Sequence, residues 1–211
     1  MPTIKNYLSL VKFSHTVFAM PFALIGFALA VRYGTPIKLL FQNPFEFHVN
    51  GQVMHGLNPA LKFYLKIFVL IIVCMVTARS AAMAFNRYLD RNFDAKNPRT
   101  ALREIPRGII SSPHALRFVI INCILFIIAT FFINKICFYL SPLALFVVLF
   151  YSYTKRFTPL CHLVLGMGLS LAPIGAYLAV TGEFAWLPLL FSFSVIFWVS
   201  GFDIIYALQD E

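Results

Sequence analysis

Charge is what this chain has least of. Only 12% of its 211 residues are charged, against roughly 25% in a typical soluble domain. Beside 60% hydrophobic and 17% aromatic residues, that scarcity excludes an ordinary soluble protein and points to the membrane class. Linkers are missing as well. No Gly/Ser-rich or Pro-rich stretch divides the chain and no repeat recurs at a fixed period, so residues 1–211 read as one domain. Cysteine is sparse: Cys74, Cys123, Cys137 and Cys161 lie in apolar surroundings without a C-x-x-C. Neither a zinc site nor a disulfide framework is implied, and they read as small buried hydrophobes. The net charge of +9 comes without an RNP-like, zinc-finger or basic-helix pattern, so no nucleic-acid partner is expected.

What the chain has in abundance is long apolar runs. A membrane-spanning helix needs about 20 mostly apolar residues, and six stretches qualify: 15–33, 64–85, 115–133, 136–154, 162–180 and 185–207. The first follows Lys5 and Lys12 and contains "ALA" at 28–30, as a cleaved leader would; its length and Pro21 favour a retained span. Ser112 is expected to cap the third, with Pro113 in its first turn. The fifth, "GMGLSLAPIGAYLAVTG", is rich in small residues that let helices pack closely in lipid, and Pro173 is a point for a kink. The loop 34–63 carries Glu46, His48 and His55 without metal-ligand spacing and reads as an interfacial segment with some helix of its own. His15, His114 and His162 fall at helix ends and read as interfacial; Trp186 and Trp198 suit interface or packing roles.

Lys and Arg set the orientation. With the N-terminus inside, the cytoplasm receives Lys5, Lys12, Arg87, Arg91, Lys96, Arg99, Arg103, Arg107, Arg117, Lys155 and Arg156. The outside receives Arg32, Lys38, Lys62, Lys66 and Lys135. The bias predicts a multi-pass protein of the inner (cytoplasmic) membrane with a cytoplasmic N-terminus. Three polar stretches then share the cytoplasmic face: 86–107, "YSYTKRFTP" at 151–159, and "FDIIYALQDE" at the end of the last span.

The acids concentrate in two of these stretches. In "NRYLDRNFD", Asn86, Asp90 and Asp94 are spaced i, i+4, i+8 and share one helix face, stepping about 6 Å along the axis. Two carboxylates this close repel one another, so either a cation holds them or one is protonated. Oxygen-only ligands suit a hard ion, Mg²⁺ above all, which often shares substrate phosphates. The bland alternative is a solvated face on which Arg87 and Arg91 pair locally with the aspartates for a few tenths of a kcal/mol. In "DIIYALQD", Asp203 and Asp210 are two turns apart with Tyr206 between them. A carboxylate beside the bilayer is costly and therefore points to function. Four of the eight acids in the chain are thus predicted on one side of the membrane. Between the acidic stretches, Arg99 and Arg103 offer forks for phosphate or carboxylate oxygens, and Pro98 and Pro106 argue against a continuous helix. A hard cation, a diphosphate and an apolar cavity suit departure of diphosphate from an allylic lipid.

Four segments carry a family resemblance: "KFSHTVFAMPFAL", "RSAAMAFNRYLDRNFDAKNPRTALREIPRG", "YSYTKRFTPLCHLVLG" and "DIIYALQDE". In them the chain resembles the UbiA superfamily of membrane prenyltransferases, most closely the branch similar to 4-hydroxybenzoate polyprenyltransferases. The resemblance covers nearly the whole chain except 34–63. It implies an all-α, polytopic transmembrane bundle of nine helices, of which six are present here. It also implies Mg²⁺-dependent transfer of a polyprenyl group from polyprenyl diphosphate to a small aromatic acceptor in quinone synthesis. Asn86, Asp90 and Asp94 match the first Asp-rich motif, and Asp203 and Asp210 belong to the second. By resemblance these five bind metal, with Asp90, Asp94 and Asp203 central to catalysis. Asn86, Arg99, Arg103, Lys155, Arg156 and Tyr206 are expected near the diphosphate or acceptor. The third aspartate of the second motif would fall three positions past Glu211. The chain therefore reads as C-terminally incomplete, and is expected to be inactive alone. A naphthoate-type precursor of menaquinone is the alternative acceptor.

Two rivals are weaker. A CDP-alcohol phosphotransferase would show a D-G…A-R…G lead into its D-x-x-x-D element, which is absent. A cation transporter would place its acids near mid-membrane along a path, rather than at helix ends beside arginines.

Overall fold

The computed structural model describes residues 3–12, 16–34, 46–49, 52–55 and 58–208. A short helix α1 (Ile4–Leu10) precedes α2 (Thr16–Gly34). A hairpin of β1 (Glu46–Val49) and β2 (Gln52–His55) follows. Five long helices complete the chain: α3 (Pro59–Asp94), α4 (Ser112–Ile133), α5 (Lys135–Thr154), α6 (Cys161–Thr181) and α7 (Trp186–Leu208). Each of these five is long and apolar enough to cross a membrane. In α2 the apolar stretch Ala19–Tyr33 is shorter, yet at 1.5 Å per residue the helix reaches about 28 Å, near the ~30 Å hydrocarbon core. All six expected spans are therefore helices, in a helical multi-pass membrane protein.

The hairpin is the departure. Glu46 pairs with His55 and Val49 with Gln52 in antiparallel register, where an interfacial segment with helix was expected. The intervening sequence is Asn50-Gly51, a strong short-range hairpin signal. Within 35–63, helix is described only from Pro59 onward.

Local chemistry explains the helix ends. Asn58 caps α3, its Oδ1 accepting from Ala60 N at 3.0 Å, and Pro59 takes the first position, where a missing N–H costs nothing. The helix then runs for 36 residues, about 54 Å. This carries Asn86, Asp90 and Asp94 beyond the apolar run that ends near residue 85. The cap of α4 is Ser111 rather than Ser112; its hydroxyl lies 2.6 Å from His114 Nδ1, and Pro113 does sit in the first turn. Asn134 caps α5 through Cys137 N at 2.8 Å and donates to the Leu178 carbonyl at 2.8 Å, tying the start of α5 to the end of α6. Gly182, at φ +71°, ends α6 in the left-handed region that favours glycine.

Two apolar clusters hold opposite ends of the bundle. One joins Ala23 of α2, Ile67 and Ile71 of α3, and Ala176 and Ala179 of α6. The other joins Leu10 and Val11 to Ala81 and Ala84 of α3, Ile105 and Ile110, and Ala115 and Val119 of α4. This second cluster seats the segment 95–111 beside the end of α3. Small residues set the helix spacing. A Cβ at Gly26 would run into the Pro173 backbone, so α2 touches α6 at its proline, and α6 continues through Pro173.

Candidate active site

The end of α3, the segment 95–111, the end of α5 with Lys155 and Arg156, the start of α6 and the end of α7 meet at one end of the bundle. The ion pairs demonstrate it. Lys155 Nζ contacts both Asn86 Oδ1 and Asp90 Oδ2. Arg156 Nη2 lies 3.5 Å from Asp90 Oδ1 and donates to the Leu89 carbonyl at 2.8 Å. Arg103 grips Asp94 with Nη1 at 2.7 and 2.9 Å from the two carboxylate oxygens. Thr100 Oγ1 donates to the Asp94 carbonyl at 3.0 Å.

Repulsion between Asp90 and Asp94 is therefore relieved by a separate side-chain cation for each. The local pairing alternative does not form. Arg87 turns to Glu104 at 3.5 Å, while Arg91 donates to the Tyr88 carbonyl at 2.7 Å and lies 4.5 Å from that ring's centroid. The partners of the aspartates come from 9 to 66 residues away, which distinguishes a built site from a solvated face. Arg87 and Glu104 act one step further out. Glu104 also accepts from Ser9 of α1, so the pair pins the segment that delivers Arg103.

On the opposite wall, Asp203 of α7 meets His162 at the start of α6, Nδ1 to Oδ2 at 2.7 Å. Tyr151 of α5 lies within electrostatic reach of both Asp203 and Asp90, so the two acidic helix ends stand at the same end of the bundle. Asp210 lies outside the described residues. Tyr206 is exposed and leans on Phe202, ring centroids 4.8 Å apart. The Arg99 backbone N–H donates to Asn97 Oδ1 at 3.0 Å, and its residue lies on the exposed surface of the 95–111 segment.

Two residues of the site are not visible in the sequence pattern. His162 reads there as one more interfacial histidine, and nothing in its neighbourhood names a partner 41 residues away. Arg79 is averaged into an apolar run. It stands two turns before Asn86 on the same face of α3, beside Tyr151, with its Nε buried and without a hydrogen-bond partner. A cation inside an apolar run is the signal that could have found it.

Among the described residues no three acids, histidines or cysteines gather in a preformed metal cage. The donors nonetheless fit a hard divalent ion. They are carboxylate and amide oxygens, and Lys155 already bridges two of them. Mg²⁺ usually takes one or two carboxylates and completes its shell with water and substrate phosphates.

Fold and site together define a polytopic helical membrane protein with two acidic helix ends and a collar of cations at one end of its bundle. The chain belongs to the UbiA prenyltransferase family, whose profile it matches over residues 55–211. It is 33% identical over 192 residues to a 4-hydroxybenzoate octaprenyltransferase of Actinobacillus pleuropneumoniae serotype 5b, covering 89% of this chain and 62% of that one. It is 34% identical over 133 residues to the 4-hydroxybenzoate octaprenyltransferase of Tolumonas auensis, covering 63% and 46%. The apo structure of a UbiA homolog from Aeropyrum pernix K1 superposes with a TM-score of 0.72 at 32% identity, covering 93% of this chain and 64% of that one. A UbiA homolog from Archaeoglobus fulgidus bound to DMAPP and Mg²⁺ shares the fold, with a TM-score of 0.69 at 19% identity, covering 97% and 64%. The chain thus spans less than two thirds of the length of these relatives.

Proposed function

We propose that this chain supplies the two-walled acidic site of an enzyme that transfers a polyprenyl group, with Mg²⁺, from polyprenyl diphosphate to an aromatic acceptor of the 4-hydroxybenzoate type. The observation that carries the reading is the cross-helix contact of Lys155 with Asn86 and Asp90, with Asp203 brought to the same end of the bundle. The names of the Actinobacillus and Tolumonas relatives support the acceptor class, and the ligands of the Archaeoglobus structure support a prenyl diphosphate with Mg²⁺.

Asn86, Asp90, Asp94 and Asp203 would hold the metal, with Asp210 as a further candidate. When bound, Mg²⁺ supplies charge stabilisation for the departing diphosphate. The chain's own cations do the rest of the binding. Lys155, Arg156 and Arg103 present N–H donors where diphosphate oxygens would lie, and Arg99 extends that collar. Tyr206, near the exit of α7, is a further contact for the substrate headgroup. The apolar helices below take the isoprenoid tail and exclude water from the allylic cation. Arg79, half-buried on the same helix face with its Nε inaccessible, would orient an acceptor carboxylate. A naphthoate-type acceptor carries the same group and is the alternative substrate of the same site. The excess of Lys and Arg at this end of the bundle supports a cytoplasmic N-terminus and a site on the cytoplasmic side of the inner membrane.

The test is Mg²⁺-dependent binding of geranyl diphosphate to the chain in lipid nanodiscs. Asp90→Asn is expected to weaken it about 100-fold, roughly 2.7 kcal/mol, with membrane insertion intact. Binding that ignores Mg²⁺, or an Asp90→Asn variant that binds as well as the wild type, overturns the reading.

A further inference from the structure

The second acidic wall is built differently from the first. Its described carboxylate, Asp203, is met by a histidine, and that histidine is held by a device of its own. Gly166, one turn after His162 on α6, lies against α7 so closely that a Cβ there would sit 2.6 Å from both the Ile196 carbonyl oxygen and Ser200 Oγ. The close approach lets Ser200 Oγ reach the His162 carbonyl at 3.1 Å while it also bonds the Ile196 carbonyl at 2.6 Å. Ser200 is buried, 4% exposed. One turn further along α7, the imidazole Nδ1 meets Asp203 Oδ2 at 2.7 Å. The backbone of residue 162 and its ring are thus both tied to α7, at positions 200 and 203, next to a glycine contact that fixes the helix spacing.

We infer that His162 is a positioning residue for the second acidic motif, holding the Asp203 carboxylate through an Nδ1–H donor so that its other oxygen faces the metal and diphosphate. The inference rests on the reading of the site given above. An exposed His–Asp pair would contribute little, but here the side chains are only 23% and 28% exposed and the ring's backbone is locked. A rigid, directional imidazole donor also serves this role better than a flexible lysine. It fixes the carboxylate's direction through one oxygen and leaves the second for a cation, as outer-shell partners of metal-binding carboxylates do. Because an ionised carboxylate can only accept, Nδ1 carries the hydrogen of this bond.

Two measurements test this and separate it from the wider reading. The first needs no substrate: the nitrogen-15 spectrum of histidine-labelled protein in nanodiscs. His162 is expected as the Nδ1–H tautomer in the wild type and to lose that preference in Asp203→Asn. An Nε2–H tautomer in the wild type overturns the inference whatever the chain binds. The second is geranyl diphosphate binding across a Mg²⁺ titration. His162→Phe is expected to raise the Mg²⁺ concentration needed for half-maximal binding about tenfold, with affinity recovering at saturating Mg²⁺. His162→Asn, which keeps a donor near the Nδ1 position, is expected to restore most of the loss. If His162→Phe binds as the wild type at every Mg²⁺ concentration, or if its loss persists at saturation and His162→Asn rescues nothing, positioning is refuted and a purely structural or null role remains. A wild type that binds no geranyl diphosphate at any Mg²⁺ concentration refutes the function, and with it the inference. Asp90→Asn serves in the same titration as the control for the first wall.

Discussion

The two acidic walls solve one electrostatic problem in opposite ways. On α3, Asp90 is met by Lys155 and Arg156 and Asp94 by Arg103, so each carboxylate has a full positive charge beside it. On α7, Asp203 is met by one histidine. A fixed ammonium lying between Asn86 and Asp90 competes with any metal for the same oxygens. A single histidine donor orients its carboxylate through one oxygen and leaves the other without a fixed ammonium or guanidinium. The first wall therefore already holds side-chain cations, which on the proposed function would turn to a diphosphate arriving with metal. The second is an oriented carboxylate that, on the proposed function, would receive the metal. The comparison predicts opposite responses to mutation: removing the first wall's cation should strengthen binding of metal alone, whereas removing the second wall's donor should weaken it.

The largest effect that breaks the comparison acts through packing. In Gly166→Ala the new methyl meets the Ile196 carbonyl oxygen of α7 at 2.6 Å, as well as Ser200 Oγ, and a rotamer change cannot relieve the backbone clash. Overpacking of this kind costs about 1–3 kcal/mol. The melting temperature in detergent should fall, and the His162 tautomer signal should be lost together with the ties to Ser200 and Asp203. A variant that melts and labels like the wild type would show that close approach of α6 and α7 does not support the second wall.

How much of this can be read from the chain depends on the length scale of the signal. The spans are legible because an apolar run of about 20 residues has few other uses, and each of the six is a helix. The first motif is legible as a face because i, i+4, i+8 spacing is local. Its partners are not. Lys155 and Arg103 reach Asp90 and Asp94 because α5 and the 95–111 segment pack beside the end of α3. No periodicity encodes that choice over Arg87 and Arg91, which stand nearer in sequence. Arg79 disappears into a hydropathy average, and His162 acquires meaning only where α6 and α7 touch. The hairpin is easily missed because two histidines and a glutamate draw attention from Asn50-Gly51 between them.

Lys155→Met sharpens the comparison most directly. Methionine keeps the volume and apolar stem and removes the ammonium that bridges Asn86 and Asp90. Binding of Mn²⁺ alone, followed by electron paramagnetic resonance, should tighten about tenfold, some 1.4 kcal/mol, because no fixed cation then competes. Binding of geranyl diphosphate at saturating metal should weaken by several fold through loss of a phosphate donor. Weaker Mn²⁺ binding would mean that Lys155 organises the oxygens rather than competing for them, and the two walls would then be alike.

The smallest effect tests whether the first wall is redundant. Arg156 lies 3.5 Å from Asp90 with its side chain 37% exposed, and it spends its short hydrogen bond on the Leu89 carbonyl at 2.8 Å. Exposed pairs of this kind contribute a few tenths of a kcal/mol, and Lys155 remains on the same carboxylate. Arg156→Gln should therefore change Mn²⁺ affinity by less than about twofold, since a glutamine can keep a donor near the Leu89 carbonyl. A change as large as that of Lys155→Met would show that both cations share one position on Asp90. The electrostatic occupancy of the first wall would then belong to the pair, and Asp90 would be free for metal only when both side chains swing to the diphosphate.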